Sequence, residues 1–464
     1  MALTAAELKK QFFMDKKNGG LILTPEQVEA ADAFCEDYKA FLDAAKTERE
    51  AVDTLIREAE AKGFAPYENG RKLMPGDRVY LNNRNKALIL AVIGEKSLAE
   101  GVNLTASHID APRIDLKQVP LYESCDLALF KTHYYGGVKK YQWTAIPLAL
   151  HGVVVKADGS TVTVTIGEDE SDPVFCITDL LPHLASEQMK RSAPEIIKGE
   201  ELNLLIGSRP FRDDEASDRV KLNIAAILME KYGITEADFL SAELEIVPAF
   251  KAKDVGLDRS MVGAYGQDDR VCAYTSARAL LDLNGTPEKT MMALMADKEE
   301  IGSCGATGMK GAFLKYFIDE IAEPHGIPGR RVLAASKCLS ADVSAAVDPT
   351  FADAHEALNA AYLNRGTTIM KFTGSRGKGG SNDASAELMG HFRRMLDEAG
   401  VIWQTAELGR VDLGGGGTVA AYIAELDVDT IDIGVPVLSM HAPFEVTSKI
   451  DIYETYRAFC AFSK

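Results

Sequence analysis

From about residue 248 onward the chain alternates short apolar runs with amphipathic stretches, and that alternation confines it to an α/β layer on a mostly parallel sheet. MMALMA (291–296), RVLAAS (331–336), TTIMKF (367–372), VIWQTA (401–406) and VPVLSM (435–440) have the length and apolar density of strands. Residues 271–283 and 383–399 carry helical periodicity and are stopped soon afterwards by Gly285 and Gly400. Upstream, Thr24-Pro25 with Gln27 makes a capping box. From there Val28, Ala31, Phe34, Tyr38, Phe41, Leu42 and Ala45 recur at helical steps, in a pattern that runs, with room for a break, to Gly63. RVYL (78–81) and ALILAVI (87–93) flank the turn-rich Asn82-Asn83-Arg84-Asn85 as a hairpin, and the short strand NLTAS delivers His108.

Between about 113 and 247 the texture differs. Val153-Val154-Val155 and TVTVTI (161–166) flank an Asp158-Gly159 turn, which reads as antiparallel sheet, and 184–232 reads as polar and helix-rich. A chain of 464 residues exceeds one simple core, so two domains are expected. The expected fold is therefore α/β: a split catalytic domain (1–112 and 248–464) with a mixed, mostly parallel sheet flanked by helices, around an inserted β-rich domain (113–247).

The net charge of −18 argues against a nucleic-acid partner, since phosphate binding wants a basic surface. No apolar run approaches the length of a membrane span, and MALTAAELKKQFFMDKKNGG lacks a signal h-region, so a cytoplasmic protein is expected. Seven scattered cysteines without a CxxC pair fit free thiols in a reducing compartment. Any metal must then be held by oxygen and imidazole.

Residues able to do that fall in five short patterns at or after strand ends: Ser107-His108-Ile109-Asp110, Gln267-Asp268-Asp269-Arg270, Asp297-Lys298-Glu299-Glu300, Ser340-Ala341-Asp342 and Ser439-Met440-His441. The carboxyl ends of strands in an α/β sheet are where loops carry side chains into a common crevice. Each pattern alone has a plain structural reading. A lone histidine sits in many cores, Asp268-Asp269 suits a helix N-terminus, and Glu299-Glu300 suits a solvated loop. The run IGSCGATG after Glu300, however, is built for close packing rather than for an exposed loop. Two histidines and three carboxylates suffice for two zinc ions if one carboxylate bridges.

The order His-x-Asp, Asp-Asp, Glu-Glu, Asp and His resembles the aspartyl aminopeptidase and aminopeptidase I family of zinc metallopeptidases. So do the strings ASHIDAPRIDLK, ADKEEIGSCGATG, LSADVSAAVDP, PVLSMHAPFE, ITDLLPHLA (177–185) and KGGSNDASAE (378–387). The resemblance spans essentially the whole chain. It implies that His108 and Asp342 hold one zinc, Glu300 and His441 the other, and Asp268 both, with cobalt or manganese as alternative metals. It also implies that Glu299 is the general base, that Asp110 orients His108, and that the Asp268-Asp269 peptide bond is cis. Adjacent glutamates suit such chemistry, one on metal and one facing the water. Peptides with a free N-terminus become the expected substrates. The insertion becomes a dimerisation domain, and dimers assembling to a dodecamer become the expected homo-oligomer.

The chain also departs from the family. After Gly136-Gly137 a His-x-Trp-Phe-Asp-Arg-Asp stretch is replaced by VKKYQWTAIPL, which keeps Trp143, and two histidines after Asp342 are replaced by Ala345 and Asp348. Asp348 and Lys371 are therefore the candidate substrate-binding residues. A negative charge from Asp348 would favour neutral or basic N-terminal residues over acidic ones, unless Lys371 and Lys378 both point inward and offset it. Gly414–Gly417 lacks the Lys-Ser/Thr of a phosphate loop and reads as close backbone packing. The rival readings are a related dinuclear-zinc deacylase or carboxypeptidase, and a non-catalytic metal-stabilised assembly protein that would have no use for Glu299.

Overall fold

Four parallel strands form the centre of the molecule, in the order Met291–Ala296, Asn103–His108, Lys337–Ala341 and Asp429–Gly434. They belong to a computed structural model that describes residues 3–14, 17–213 and 217–464. Three further strands lie on the Met291–Ala296 side: Ala87–Val92, Arg78–Asn83 and the short Ala65–Pro66. Thr367–Met370 and Trp403–Thr405 complete the nine-stranded sheet on the other side. Only the pairings at Ala87–Val92 and at Thr367–Met370 with Asp429–Gly434 introduce antiparallel neighbours, so the sheet is mixed but mostly parallel.

MMALMA is buried along its whole length because helices cover both faces. Met291, Ala293 and Met295 pack with Pro25–Ala44, Glu48–Ala61, Gln267–Leu281 and Lys449–Phe462 on one side. Met292, Leu294 and Ala296 pack with Phe313–Ala322 on the other. The two-residue period of a strand thus divides one run between two cores. The capping box at Thr24 is present, with its backbone N–H donating to Gln27 Oε1 at 2.9 Å. The helical pattern after it breaks at residues 45–47, where Thr47 caps a second helix. The hairpin turn places Arg84 and Asn85 at positive φ, the conformation that matches the twist of its strands.

The residues between Arg113 and Pro248 build a separate seven-stranded sheet, antiparallel throughout, with its own core around Ile114, Phe130, Trp143, Leu150 and Ile246. The chain leaves the central sheet through Arg113–Ser124 and returns through Ala242–Pro248, and these two strands are hydrogen-bonded neighbours. A small five-stranded sheet, which includes Met261–Ala264, Pro436–Leu438 and Glu445–Ser448, closes the rim.

Three expectations need correction. RVLAAS is not a strand: Gly329–Ala334 is a short helix, and the strand begins after it at Lys337. A six-residue run with four apolar residues does not separate the two, and Pro328 just before it is the helix-start signal. Asp429–Gly434, a central strand, has no counterpart among the expected ones. Its Asp432 is fully buried, accepting hydrogen bonds from the Ser340 and Thr418 hydroxyls. The 184–232 stretch holds one α-helix, Arg219–Tyr232; among its described residues the rest is 3₁₀ turns, irregular chain and the strand Leu204–Gly207.

Where the two large sheets meet, Arg113 lies between two fully buried carboxylates. Its Nη1 is 3.4 Å from Glu48, and its Nε is 3.2 Å from Glu245 and 2.8 Å from Asp115. Lys86, 3.2 Å from Glu48, partly compensates that acid, but removing Arg113 takes away the cation that Glu245 and Asp115 share, a loss of up to about 3–5 kcal/mol. Arg113→Met is therefore expected to lower the thermal unfolding midpoint by several degrees. Arg71→Met, which removes the exposed Arg71–Asp77 pair, is expected to leave it nearly unchanged. Equal midpoints for the two variants would show that the junction is not held this way.

Candidate metal centre

Three neighbouring parallel strands end on one side of the central sheet, and each delivers a donor. His108 is the last residue of Asn103–His108, Glu299 and Glu300 follow Met291–Ala296, and Asp342 follows Lys337–Ala341. Asp268 enters from the first turn of Gln267–Leu281, and His441 from the loop after Pro436–Leu438. All of them line one cavity of about 370 Å³. Clefts at the carboxyl ends of parallel strands are where such folds place their ligands.

Asp268 stands between the two histidines. Its Oδ1 is 3.3 Å from His108 Nε2 and its Oδ2 is 3.1 Å from His441 Nε2. Asp342 lies beyond His108 at 3.8 Å, and Glu300 beyond His441 at 3.7 Å. The donors thus form two clusters sharing one carboxylate. Their ligand atoms gather within 4.8 Å as His108, Glu299 and Glu300; as His108, Asp269 and Asp342; and as Asp268, Glu300 and His441. Asp269, to which the sequence reading gives no role, therefore stands beside the His108 cluster; both its carboxylate oxygens are buried without a hydrogen-bond partner. The peptide bond between Asp268 and Asp269 is cis.

The charges here cannot coexist bare. Burial, reinforced by neighbouring carboxylates, raises the carboxyls of Glu299, Glu300 and Asp342 above their ordinary range. Burial also opposes charge on the histidines, yet hydrogen bonds to carboxylates and the surrounding acids prevail. They raise His108 well above its usual value and push His441 up to about 10. Burial opposes the charge of Asp268 too, but the two imidazoles hold its carboxyl low. A divalent cation relieves this surplus of negative charge without borrowed protons. Glu300 Oε1, buried with no hydrogen-bond partner, is a free donor of the right kind. Oxygen and imidazole without thiolate are donors zinc accepts, so the residues fit that ion.

Backbone and side-chain braces hold the donors. Asp110, fully buried, accepts from the Glu299 N–H at 3.1 Å, the Glu300 N–H at 3.2 Å and the Tyr135 hydroxyl at 2.8 Å. Its carboxylate lies 3.3 Å from His108 Nδ1, and its own carbonyl is closer, at 3.0 Å. Asp110 therefore orients the glutamate turn as well as the histidine. On the opposite side Glu445 accepts from the His441 N–H at 2.8 Å and the Asp268 N–H at 3.1 Å, while burial pushes its carboxyl up to about 8. The Gly137 carbonyl accepts from His441 Nδ1 at 2.9 Å. Glu445, Tyr135 and Gly137 are not among the residues the sequence singles out. The available signal for Glu445 is an acid opening the otherwise uncharged strand Glu445–Ser448.

The two substrate-binding candidates lie elsewhere. Asp348 caps its own turn by accepting from the Thr350 N–H at 2.8 Å, and it is not among the residues lining the cavity. Lys371 pairs with Asp383 at 2.7 Å, and Lys378 with the same carboxylate at 3.0 Å. Each side chain satisfies a local partner that a pattern of charges along the sequence does not disclose. Gly415–Gly417, by contrast, form part of the cavity wall, packed against the Gly374–Ser375 backbone.

Known proteins resemble this chain along nearly its whole length. The family model described as aminopeptidase I zinc metalloprotease (M18) matches residues 41–463. A probable M18 family aminopeptidase 1 of Clostridium acetobutylicum is 52% identical over 445 residues, covering 94% of this chain and 96% of the relative. Its counterpart in Thermotoga maritima is 47% identical over 451 residues, covering 96% and 98%. The crystal structure of an M18 aminopeptidase from Thermotoga maritima superposes with a TM-score of 0.93 at 46% identity, covering 97% of this chain and 99% of that one. Aminopeptidase I from Clostridium acetobutylicum gives a TM-score of 0.91 at 46% identity, covering 98% and 100%. A shared fold and a near full-length likeness leave one assignment: the chain belongs to the M18 family of aminopeptidase I zinc metalloproteases and is an aminopeptidase.

Proposed function

We propose that the cluster holds two zinc ions and removes single residues from free peptide N-termini, with Glu299 as the general base. The observation that carries this reading is Asp268, whose two oxygens face two different histidines. His108 and Asp342 would hold one ion, Glu300 and His441 the other, and Asp268 both. Zinc, when bound, supplies Lewis acidity, polarising the scissile carbonyl and making water a stronger acid. Glu299 lines the same cavity, and among the described residues its carboxylate makes no hydrogen bond to the protein. It is thus free to take the proton from the attacking water and to return it to the departing amine. Asp110 holds the backbone of that residue, so the base is fixed relative to the donor beside it.

Glu299→Gln keeps shape and removes the proton acceptor. We expect metal content to hold while kcat on leucine p-nitroanilide falls about 10²–10⁴-fold. His441→Ala is expected to lose metal along with activity. A Glu299→Gln enzyme with full metal and native turnover would end the assignment.

The reading extends to specificity on grounds different from those the sequence suggests. Asp348 is spent on its own turn, so it does not carry the argument. Val343, Met370, Leu408 and Met440 wall the cavity, and no lysine or arginine is among its lining residues. An acidic side chain would there give up hydration without gaining a cation. We propose a preference for neutral or basic N-terminal residues. In a panel of Leu, Met, Lys, Asp and Glu substrates, Leu and Met should exceed Asp and Glu in kcat/KM by about tenfold or more. A tenfold advantage for Asp or Glu would reverse the reading.

We further propose that the chain is a homo-oligomer assembled through the 113–247 insertion. Leu180, Leu181, Leu184 and Met189 are all at least half exposed within one short stretch of it. Apolar groups clustered in this way mark an interaction surface. A structural neighbour, aminopeptidase 1 of S. cerevisiae, is described as a dodecamer. Light scattering should give a mass well above the 50.3 kDa of one chain, and Leu181→Asp with Leu184→Asp should reduce it. A monomer at micromolar concentration would refute the proposal. Among the described residues no helix is long and apolar enough to cross a membrane.

A further inference from the structure

The inserted sheet begins two residues after a brace of the metal centre. Asp110 is followed by Ala111 and Pro112, and at Arg113 the chain enters the first strand of the insertion. That strand and the next, Leu127–Tyr135, form a hairpin whose open end pairs Arg113 with Tyr135. The hairpin therefore brings residue 135 back beside the point where it left. The phenol of Tyr135 reaches Asp110 Oδ2 at 2.8 Å. The Arg113 guanidinium lies 3.9 Å from the centre of the Tyr135 ring, and it is itself held by Glu48, Asp115 and Glu245. The position of the hydroxyl is thus fixed from two directions.

The two residues that follow have no side chain, and the site requires that. A Cβ at Gly136 would stand 3.2 Å from the Glu300 Cβ, and one at Gly137 would stand 3.1 Å from His441 Nδ1. Their backbone runs alongside the two donors of one cluster, and the Gly137 carbonyl accepts a hydrogen bond from His441 Nδ1. Within three residues, then, the insertion touches the brace that serves His108, Glu299 and Glu300, and it also touches His441 directly.

We infer that the inserted sheet is a working part of the catalytic site. Its Tyr135–Gly137 segment holds the two halves of the metal centre in register, and Tyr135 is a positioning residue acting through Asp110. The inference rests on the dinuclear aminopeptidase reading and extends it to a residue outside the donor set. Asp110 has four approaching groups: the Glu299 N–H and His108 Nδ1 on Oδ1, and the Glu300 N–H and the Tyr135 hydroxyl on Oδ2. Without the phenol hydroxyl, Oδ2 keeps only the Glu300 N–H, and the carboxylate loses one of the four groups that fix its rotation about the Cβ–Cγ bond. The glutamate turn and His108 then lose a shared reference. Partners of metal ligands that are not themselves ligands set both affinity and rate in this way.

The test is Tyr135→Phe in the full-length, zinc-loaded protein, since phenylalanine keeps the ring against Arg113 and removes only the hydroxyl. Two quantities are read: the rate of zinc transfer to a chromogenic chelator, and kcat and KM on leucine p-nitroanilide. We expect zinc transfer to quicken about tenfold and kcat to fall about 10–100-fold, with KM within about threefold of the native value. Tyr122→Phe is the control. Tyr122 lies on the same sheet beneath Lys131, and its hydroxyl makes no hydrogen bond to any described residue; both readouts should stay native. The inference is overturned if Tyr135→Phe leaves zinc transfer and kcat within about twofold of native. It is overturned equally if both tyrosine variants shift alike, which would signify general loosening of the sheet. A native protein that binds zinc but hydrolyses no aminoacyl anilide would defeat the aminopeptidase reading instead, and the zinc-transfer arm would still judge Tyr135.

Discussion

The cavity at the strand ends is governed by crowded negative charge. Asp268, Glu299, Glu300 and Asp342 share a space in which burial drives three of them toward neutrality and only Asp268, between two imidazoles, is held ionised. Such an arrangement is unfavourable unless cations compensate it. The constraint decides what else must be present. Each acid has to be held where the field of its neighbours repels it, and the holding groups must be donors that cannot titrate away. Backbone N–H groups meet that need, and those of Asp268, Glu299, Glu300 and His441 are all engaged.

The acceptors of those N–H groups are themselves acids. Asp110 and Glu445 stand on opposite sides of the cluster; Asp110 gathers the distant Glu299-Glu300 turn, and Glu445 ties the nearby His441 to the distant Asp268. Burial opposes the charge of Asp110, but His108, Tyr135 and Arg113 together hold it ionised. At Glu445 burial and the nearby Asp268 outweigh what His441 and the two N–H groups supply, and the carboxyl sits near neutrality, at about 8. The two braces are therefore electrostatically unlike. One is a fixed charge backed by the insertion, and the other is a carboxyl that adds little to the negative surplus.

How much of this is legible in the sequence depends on whether a residue's role follows from local pattern. The capping box at Thr24 and the period of MMALMA can be read because each needs only a few adjacent residues. The places of His108, Glu300 and Asp342 at strand ends follow from the same kind of reading. Misreadings arise where a tertiary partner overrides the local signal. Asp432 lies in a central strand without an expected counterpart, and nothing nearby in sequence announces the hydroxyls of Ser340 and Thr418. Lys371 and Lys378 resemble substrate anchors, yet both pair with Asp383, five residues beyond the second. Asp348 resembles a pocket charge, but a cap on its own turn needs no pocket. RVLAAS fails for a simpler reason, that a six-residue run with four apolar residues does not choose between helix and strand.

The same distribution of contacts explains why the site belongs to the whole fold rather than to any part of it. Its donors run from His108 to His441 along the chain and come from three strand ends, a helix start and a rim loop. The insertion joins them through Tyr135, which donates to Asp110, and through the Gly137 carbonyl, which accepts from His441. No fragment holds more than two of the donors in neighbouring positions, so the charge cluster cannot assemble before the sheet has formed. Once it has formed, the repulsion among the acids opposes the packed state, and a cation bound there removes that opposition. Metal binding and the final closure of the structure are thus thermodynamically coupled. The cost of concentrating charge at the site would be offset by a cation bound there.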